Sequence, residues 1–419
     1  MSGRHLTLLA LSLLGAPWAE ARAQAPAARS LHPSEPPGSE LSIAIMTMGV
    51  GAEVWERFGH NAIVVTDRRA GTSMAYNYGM FSFRQENFLL RFLQGRMWYW
   101  MAAFPTEDDV PRYMAAGRSV WLQELNLSPA QRARLRDDLE TNARPENRFY
   151  RYDYYRDNCS TRVRDAIDRV LNGAIRAQMS GPASGSYRFH TLRLNTNNLP
   201  LYTGLDLVLG QGADVPVTRW QEMFLPLKLR DYLREVRVPD SSGALVPLVS
   251  SERALYESSK YPVPDAPPGW AAGYLVLGIA LGGLFWWGGV AGRRSGGARR
   301  VLLFGGTAWA LITGLAGTIL VGLWGLTDHL IASRNENALQ VTIFALGLAV
   351  VLPFAGAERP AATRVARALA VLVGALSLLG LLLKVLPAFD QVNGQMLALF
   401  VPANLGLMLG SLAWAREGG

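Results

Sequence analysis

Hydrophobic and polar positions divide the chain into two unlike parts. From residue 24 to about 265, apolar residues come in short, interrupted stretches; from about 270 onward they run almost without a break. The later part holds five apolar spans, roughly 270–291, 301–326, 339–356, 368–387 and 395–414. A bilayer helix needs about 20 such residues, so each span can cross, although the third is short and contains Pro353. In the earlier part, Leu41 to Met48 predicts a strand. The apolar run Asn61 to Thr66 predicts a second, with His60 at its start. Asp67 to Gly71 is a turn, and Ser73 to Gly79 a further strand. Glu86 to Gln94 carries Phe88, Leu89, Phe92 and Leu93 at helical spacing and stops at Gly95. Strands are expected over 96–104 and 118–127. Ser128-Pro129-Ala130-Gln131 is a capping box that opens a helix to about Asn142. Residues 174–265 show little periodicity beyond a helix near Trp220 to Val236, with His190 in a polar stretch that reads as surface.

The most informative stretch is Phe149 to Leu171. Aromatic and polar residues alternate from Phe149 to Arg156, which predicts a strand. Asp157-Asn158 then supplies N-cap chemistry, and Val163, Ile167, Val170 and Leu171 follow at helical spacing, with Gly173 to close the helix. Cys159, the single cysteine of the chain, falls in the first turn. Unpaired backbone N–H groups and the positive end of the helix dipole favour a thiolate there. The bland alternative is a small buried cysteine that happens to begin a helix.

Composition changes the picture in three places. Residues 1–23 have a positive start at Arg4 and His5, an apolar run of 11 residues from Leu6 to Ala16, and a small-x-small site at Ala21-Arg22-Ala23. They predict a secretory signal, with residues 24–40 as a linker, 41–265 as an extracytoplasmic domain and 270–416 as a membrane domain. The net charge of +8 needs no nucleic acid to explain it. Arginines at 293, 294, 299, 300, 359, 364, 367 and 416 lie between or after the spans and mark cytoplasmic loops. Loops 327–338 and 388–394 then face outward with the extracytoplasmic domain, and the expected location is a bacterial cytoplasmic (inner) membrane. Finally, one cysteine and scattered histidines exclude an intrachain disulfide and offer no metal cluster, so neither metal nor cofactor is expected.

A thiol nucleophile needs a base, and His60 is the candidate. A third group usually orients the imidazole. Asn77, on the strand after His60, is one possibility; Glu56, on the approach to His60, is another. Backbone N–H groups at the helix start would hold an oxyanion, and the Tyr154 hydroxyl is a possible addition. The loop from Thr327 to Asn337, with His329, Asn335 and Asn337, is unusually polar for a connector between spans. It reads either as a solvated turn or as a lid or headgroup contact.

A histidine ahead of a strand, followed about 100 residues later by an Asn-Cys pair at a helix start, resembles the circularly permuted papain-like branch of the NlpC/P60 superfamily. More specifically, Arg57-Phe58-Gly59-His60-Asn61, Tyr76-Asn77-Tyr78-Gly79-Met80-Phe81 and Asp157-Asn158-Cys159-Ser160-Thr161 resemble the extracytoplasmic domain of the Lnb-type lipoprotein intramolecular transacylases. His329 with Asn335 and Asn337 is similar to that family's second polar motif. The resemblance implies an α+β, permuted papain-like domain followed by an all-α membrane domain of five helices. It implies acyl transfer from the glyceryl group of a diacylglyceryl lipoprotein to its own N-terminal amine, with Cys159, His60 and Asn77 catalytic. Asn158, Tyr154, His329, Asn335 and Asn337 would contact substrate, and the partners would be lipoproteins and membrane lipid. Two other classes stay open: a membrane-tethered cysteine peptidase or amidase, and a non-enzymatic sensor or scaffold.

Overall fold

A computed structural model describes residues 35–356 and 359–414; the expected signal segment, most of the linker and Arg416 lie outside the described residues. The strand β1 (Leu41–Met48) is apolar on both faces because both faces of its sheet are covered. It pairs antiparallel with β2 (His60–Asp67), which pairs antiparallel with β3 (Thr72–Met80). The chain continues through α1 (Phe88–Gln94), β4 (Trp98–Pro105), α2 (Thr106–Ala115), β5 (Val120–Leu125), α3 (Pro129–Ala143), β6 (Phe149–Arg151) and α4 (Cys159–Val170). Short helices α5 (Ala174–Gln178), α6 (Tyr187–Arg193), α7 (Leu199–Val208), α8 (Arg219–Glu222) and α9 (Pro226–Leu233) follow. A small β7–β8 hairpin (Arg237–Pro239, Leu245–Pro247) and β9 (Val249–Tyr256) complete the domain. The main sheet is seven-stranded in the order β6-β4-β3-β2-β1-β5-β9.

Strand alternation sends side chains to two cores. Ile43, Ile45, Ile63 and Tyr76 meet Val163 and Ile167 of α4 and Leu229 and Leu233 of α9. Ala44, Met46, Ala62, Val64 and Ala75 meet Val110 and Tyr113 of α2 on the opposite face. The α2 helix was not apparent in the sequence, since it is largely polar and contains Pro111.

Three expectations are corrected. The strand predicted over Phe149 to Arg156 ends at Arg151, because the Asp153 carboxylate accepts the backbone N–H groups of Tyr155 and Arg156 and turns the chain. The helix predicted near Trp220 to Val236 is broken into α8 and α9, since Pro226 disfavours helical geometry at Leu225. His190 is buried rather than at the surface.

Among the described residues, five helical stretches are long and apolar enough to cross a membrane: 271–291, 296–326, 336–354, 360–385 and 394–414. The first and fifth pack backbone to backbone: a Cβ on Gly406 would lie 2.1 Å from the Gly282 carbonyl oxygen, so only glycine permits the approach. The molecule is thus a mixed α/β domain built on one large sheet, followed by a helical membrane region.

Candidate functional site

Cys159 is the first residue of α4, and Asn158 holds that helix start in place. The Asn158 side-chain oxygen accepts from the backbone N–H groups of Ser160 and Thr161, each at 2.9 Å. Its amide nitrogen donates to the carbonyls of Tyr154 and Phe224. With Oδ1 and Nδ2 both engaged and the residue buried, Asn158 holds the helix start that carries the thiol. On the sheet side, Gly79 has φ +86°, and a Cβ there would lie 3.2 Å from the Cys159 Cβ. A side chain at 79 would therefore crowd the nucleophile.

Backbone N–H groups of Asn61, Ser160 and Cys159 itself face the thiol and favour its anion, and Arg118 adds a positive field. Burial nevertheless outweighs them and pushes the thiol up to about 11. The thiolate expected from helix-start geometry alone is therefore not the resting form: loss of water costs the anion more than these donors return. The Ser160 N–H is already engaged by Asn158 Oδ1, which leaves the N–H groups of Asn61 and Cys159 to receive negative charge that develops later.

The Asn61 contact brings the start of β2 to the thiol. His60 precedes it, and its Nε2 lies 2.9 Å from Asn77 Oδ1. Antiparallel pairing of β2 with β3 sets Asn77 opposite Ala62, diagonal to His60. Asn77 in turn donates through Nδ2 to Asp109 Oδ2 at 3.0 Å and to the Ala75 carbonyl at 3.2 Å. Both of those partners accept, so the Asn77 oxygen must face His60, and His60 Nε2 must carry the hydrogen. Nδ1 is left with its lone pair, the tautomer a base requires. Burial lowers His60 to about 4, opposed in part by the Asn77 bond, with Arg118 lowering it further. Thiol and imidazole therefore both rest neutral.

Asp109 lies on α2, is buried, and is raised from its ordinary range by burial, while its bond to Asn77 works the other way. Sequence reasoning missed it; the acidic run Glu107-Asp108-Asp109 reads as an ordinary helix N-terminus. Arg118 was also missed. It donates to the Gly49 carbonyl and to Glu56 and sits 4.9 Å from the Tyr113 ring, which stacks on His60. Of the two candidates to orient the imidazole, Glu56 is the partner of Arg118 and Asn77 is the one bonded to His60.

The remaining candidates lie at the joint with the membrane helices. The Tyr154 hydroxyl donates to Met97 Sδ at 3.2 Å, and its ring stacks on His329; the hydroxyl is not among the donors around the thiol. His329 Nε2 donates to the Phe92 carbonyl at 3.0 Å, and Asp328 pairs with Arg96 and Arg151. Asn335 donates to the carbonyls of Leu207 and Val208, and Asn337 to those of Asp206 and Leu207. Both asparagines are buried and satisfy C-terminal carbonyls of α7, that of Asp206 together with Arg188. The two side chains fasten the domain to the spans, so the polar loop is a docking element and not a free turn. Among the described residues no group of three His, Cys, Asp or Glu side chains is arranged to hold a metal ion.

Residues 35–198 match the family model of the Lnb N-terminal periplasmic domain. The matched segment contains β1 to β6 and α4, and with them His60, Asn77, Asp109 and Cys159. No curated protein and no solved structure matches the chain.

Proposed function

From the premise that this is an Lnb-type, multi-pass membrane protein with an N-terminal periplasmic domain, a family setting that points to lipoprotein processing, we propose that it is a thiol acyltransferase. It acylates the N-terminal amine of a lipoprotein through a thioester on Cys159. The observation that carries this reading is the neutral His60, its Nε2–H fixed by the Asn77–Asp109 chain, one residue before Asn61, whose backbone N–H reaches the thiol at the start of α4.

In the first half-reaction, His60 Nδ1 takes the thiol proton as sulfur attacks the carbonyl carbon of a glyceryl ester. The backbone N–H groups near the sulfur stabilise the tetrahedral oxyanion. The carbon–oxygen ester bond then breaks, and the imidazolium returns its proton to the leaving glyceryl alkoxide. In the second, the lipoprotein amine attacks the thioester, His60 removes its proton, and the thiol is restored as the amide forms. Asn77 accepts from the same ring nitrogen throughout, so the imidazole keeps its orientation while Nδ1 gains and loses the proton. The apolar core that the half-buried Cys159 borders limits the access of water to the thioester. The docked spans favour a lipid-borne substrate over cell-wall peptide, since a wall enzyme needs only a tether.

Mass spectrometry of one lipoprotein from cells carrying wild type, Cys159→Ala or His60→Ala tests this. The wild type alone should yield an N-acylated product. A lyso form identifies the lipoprotein's own diacylglyceryl group as donor; a product keeping both ester chains identifies a separate membrane lipid. The same diacyl species in all three strains would remove the acyl-transfer reading.

A further inference from the structure

Helix α1 presents an unusual surface for a periplasmic domain. Leu89, Leu90 and Leu93 are more than half exposed, at 69%, 54% and 53%, and Phe83, Trp55 and Trp98 extend the exposed apolar surface around them. On the helix, residues 88, 89, 90, 92 and 93 form one continuous apolar arc, with Arg91 and Gln94 opposite. Such a patch on a soluble domain marks an interaction site.

Its place in the fold says what covers it. The Asp328 backbone N–H donates to the Gln94 carbonyl at 2.9 Å and His329 donates to Phe92. The C-terminal turn of α1 is therefore fastened to the residues that follow Leu326, the last residue of the second span, itself 80% exposed. The apolar face of α1 is thus continuous with the lipid-facing surface of a membrane helix. Arg84, Arg91 and Arg96 flank it where anionic headgroups would lie, and the tryptophans suit the same boundary.

We propose that α1 is an interfacial helix whose leucine face is immersed in the acyl chains at the outer surface of the membrane. Resting on the acyl-transfer reading, the surface is also the donor's way in. Phe88 stacks on Phe81 (ring centres 6.1 Å apart), Phe81 on Tyr99 (5.0 Å) and Tyr99 on Tyr152 (4.1 Å). Phe81, Tyr152 and Cys159 border the same core, and Phe81 is two residues beyond Gly79, which abuts the Cys159 Cβ. This row of rings runs from the immersed helix to the core that Cys159 borders, and it is the apolar surface along which the proposal routes the acyl chain.

The test uses the full chain in liposomes, in a Cys159→Ser background, with a fluorophore on Leu93→Cys. Leu326→Cys serves as the lipid control and Ser242→Cys, in the β7–β8 turn, as the aqueous control. Label at 93 should be quenched severalfold more by spin-labelled phospholipid than by iodide, following the 326 control; behaviour like the 242 control overturns the proposal. The route is tested separately with Leu89→Glu/Leu93→Glu on the intact thiol. Lipoprotein acylation should fall roughly tenfold or more, because charge is costly in hydrocarbon, while alkylation of Cys159 by a small uncharged reagent holds. Undiminished acylation would overturn the route. A wild type that acylates nothing would instead sink the underlying reading and leave the lipid contact to stand on the quenching.

Discussion

Among the described residues, half-buried His60 and buried His190 each lean on the oxygen of a side-chain amide or carboxylate, and the two rings differ in what is left to them. His190 gives Nε2 to Glu222 at 2.7 Å and accepts Arg193 Nε on Nδ1 at 2.9 Å. Both ring nitrogens are spent, and Glu222 is further held by Tyr232 and Lys228. His60 gives Nε2 to a neutral amide and keeps Nδ1 uncommitted. Both rings are lowered by burial, so a shifted titration does not separate them. The difference is a ring nitrogen with no hydrogen-bond partner among the described residues, on the residue before Asn61, whose N–H reaches the thiol.

Exchanging the two roles by mutation should give the largest contrast. His60→Ala is expected to reduce turnover by roughly a thousandfold or more, by analogy with loss of a triad base, with the melting temperature nearly unchanged. His190→Ala should leave turnover per folded molecule intact but cost about 3–5 kcal/mol of stability, the usual effect of breaking a buried pair. Purified variants assayed in proteoliposomes and followed by thermal unfolding decide this; a His190→Ala protein that is stable but inactive breaks the comparison.

Next in size is the chain behind His60. Asn77→Ala frees the imidazole to rotate and should lower kcat about a hundredfold, with KM little changed. Asp109→Asn, one step further away, should cost about tenfold. Equal losses from the two, or a large rise in KM, would show that the chain does more than orient the ring.

The pH profile separates the pair more finely. His60 has a folded pKa near 4 against an ordinary value of 6.5, so the base stays unprotonated, and kcat/KM stays flat, as pH falls through 6.5. The acid limb should appear near pH 4. Glu222, lowered to about 2 from 4.5, contributes stability that is complete above pH 4.5 and is lost as pH falls towards 2. Activity should therefore fail before that contribution is exhausted. A rate limb near pH 6.5 with the protein still folded would contradict the neutral His60.

The smallest effect belongs to the joint. Asn337→Ala takes one donor from the α7 carbonyls that Asn335 and Arg188 also hold and leaves the buried Asn393 amide without its acceptor; it should destabilise docking by about 1–3 kcal/mol, read as faster proteolysis between residues 199 and 210 with the thiol still reactive.

Cys159 and His60 were legible because local rules suffice: an asparagine cap before a helical repeat, and a polar residue heading an apolar strand. Asn77 was within reach because the Asp67–Gly71 turn makes β2 and β3 neighbours. Asp109 was not, since it arrives on a polar helix whose packing against the sheet leaves no local pattern. His190 was misjudged because Tyr187 to Thr191 looks solvated. Its charges are neutralised by distant partners: Arg188 by Asp206 and Asp214, and His190 by Glu222. The five spans were visible from bilayer thickness alone. The polarity of the loop from 327 to 338 was visible too, but its use, to meet the carbonyls at the end of α7, depends on how two regions meet.

The most direct test of the central claim is to trap the acyl group on the enzyme. Purified wild type, incubated with donor lipid without lipoprotein amine, should gain one acyl mass on the peptide containing Cys159, removed by neutral hydroxylamine as a thioester is, and His60→Ala should gain none over the same interval. A wild-type protein that transfers acyl chains while Cys159 stays unmodified, with Cys159→Ala still active, would contradict the account.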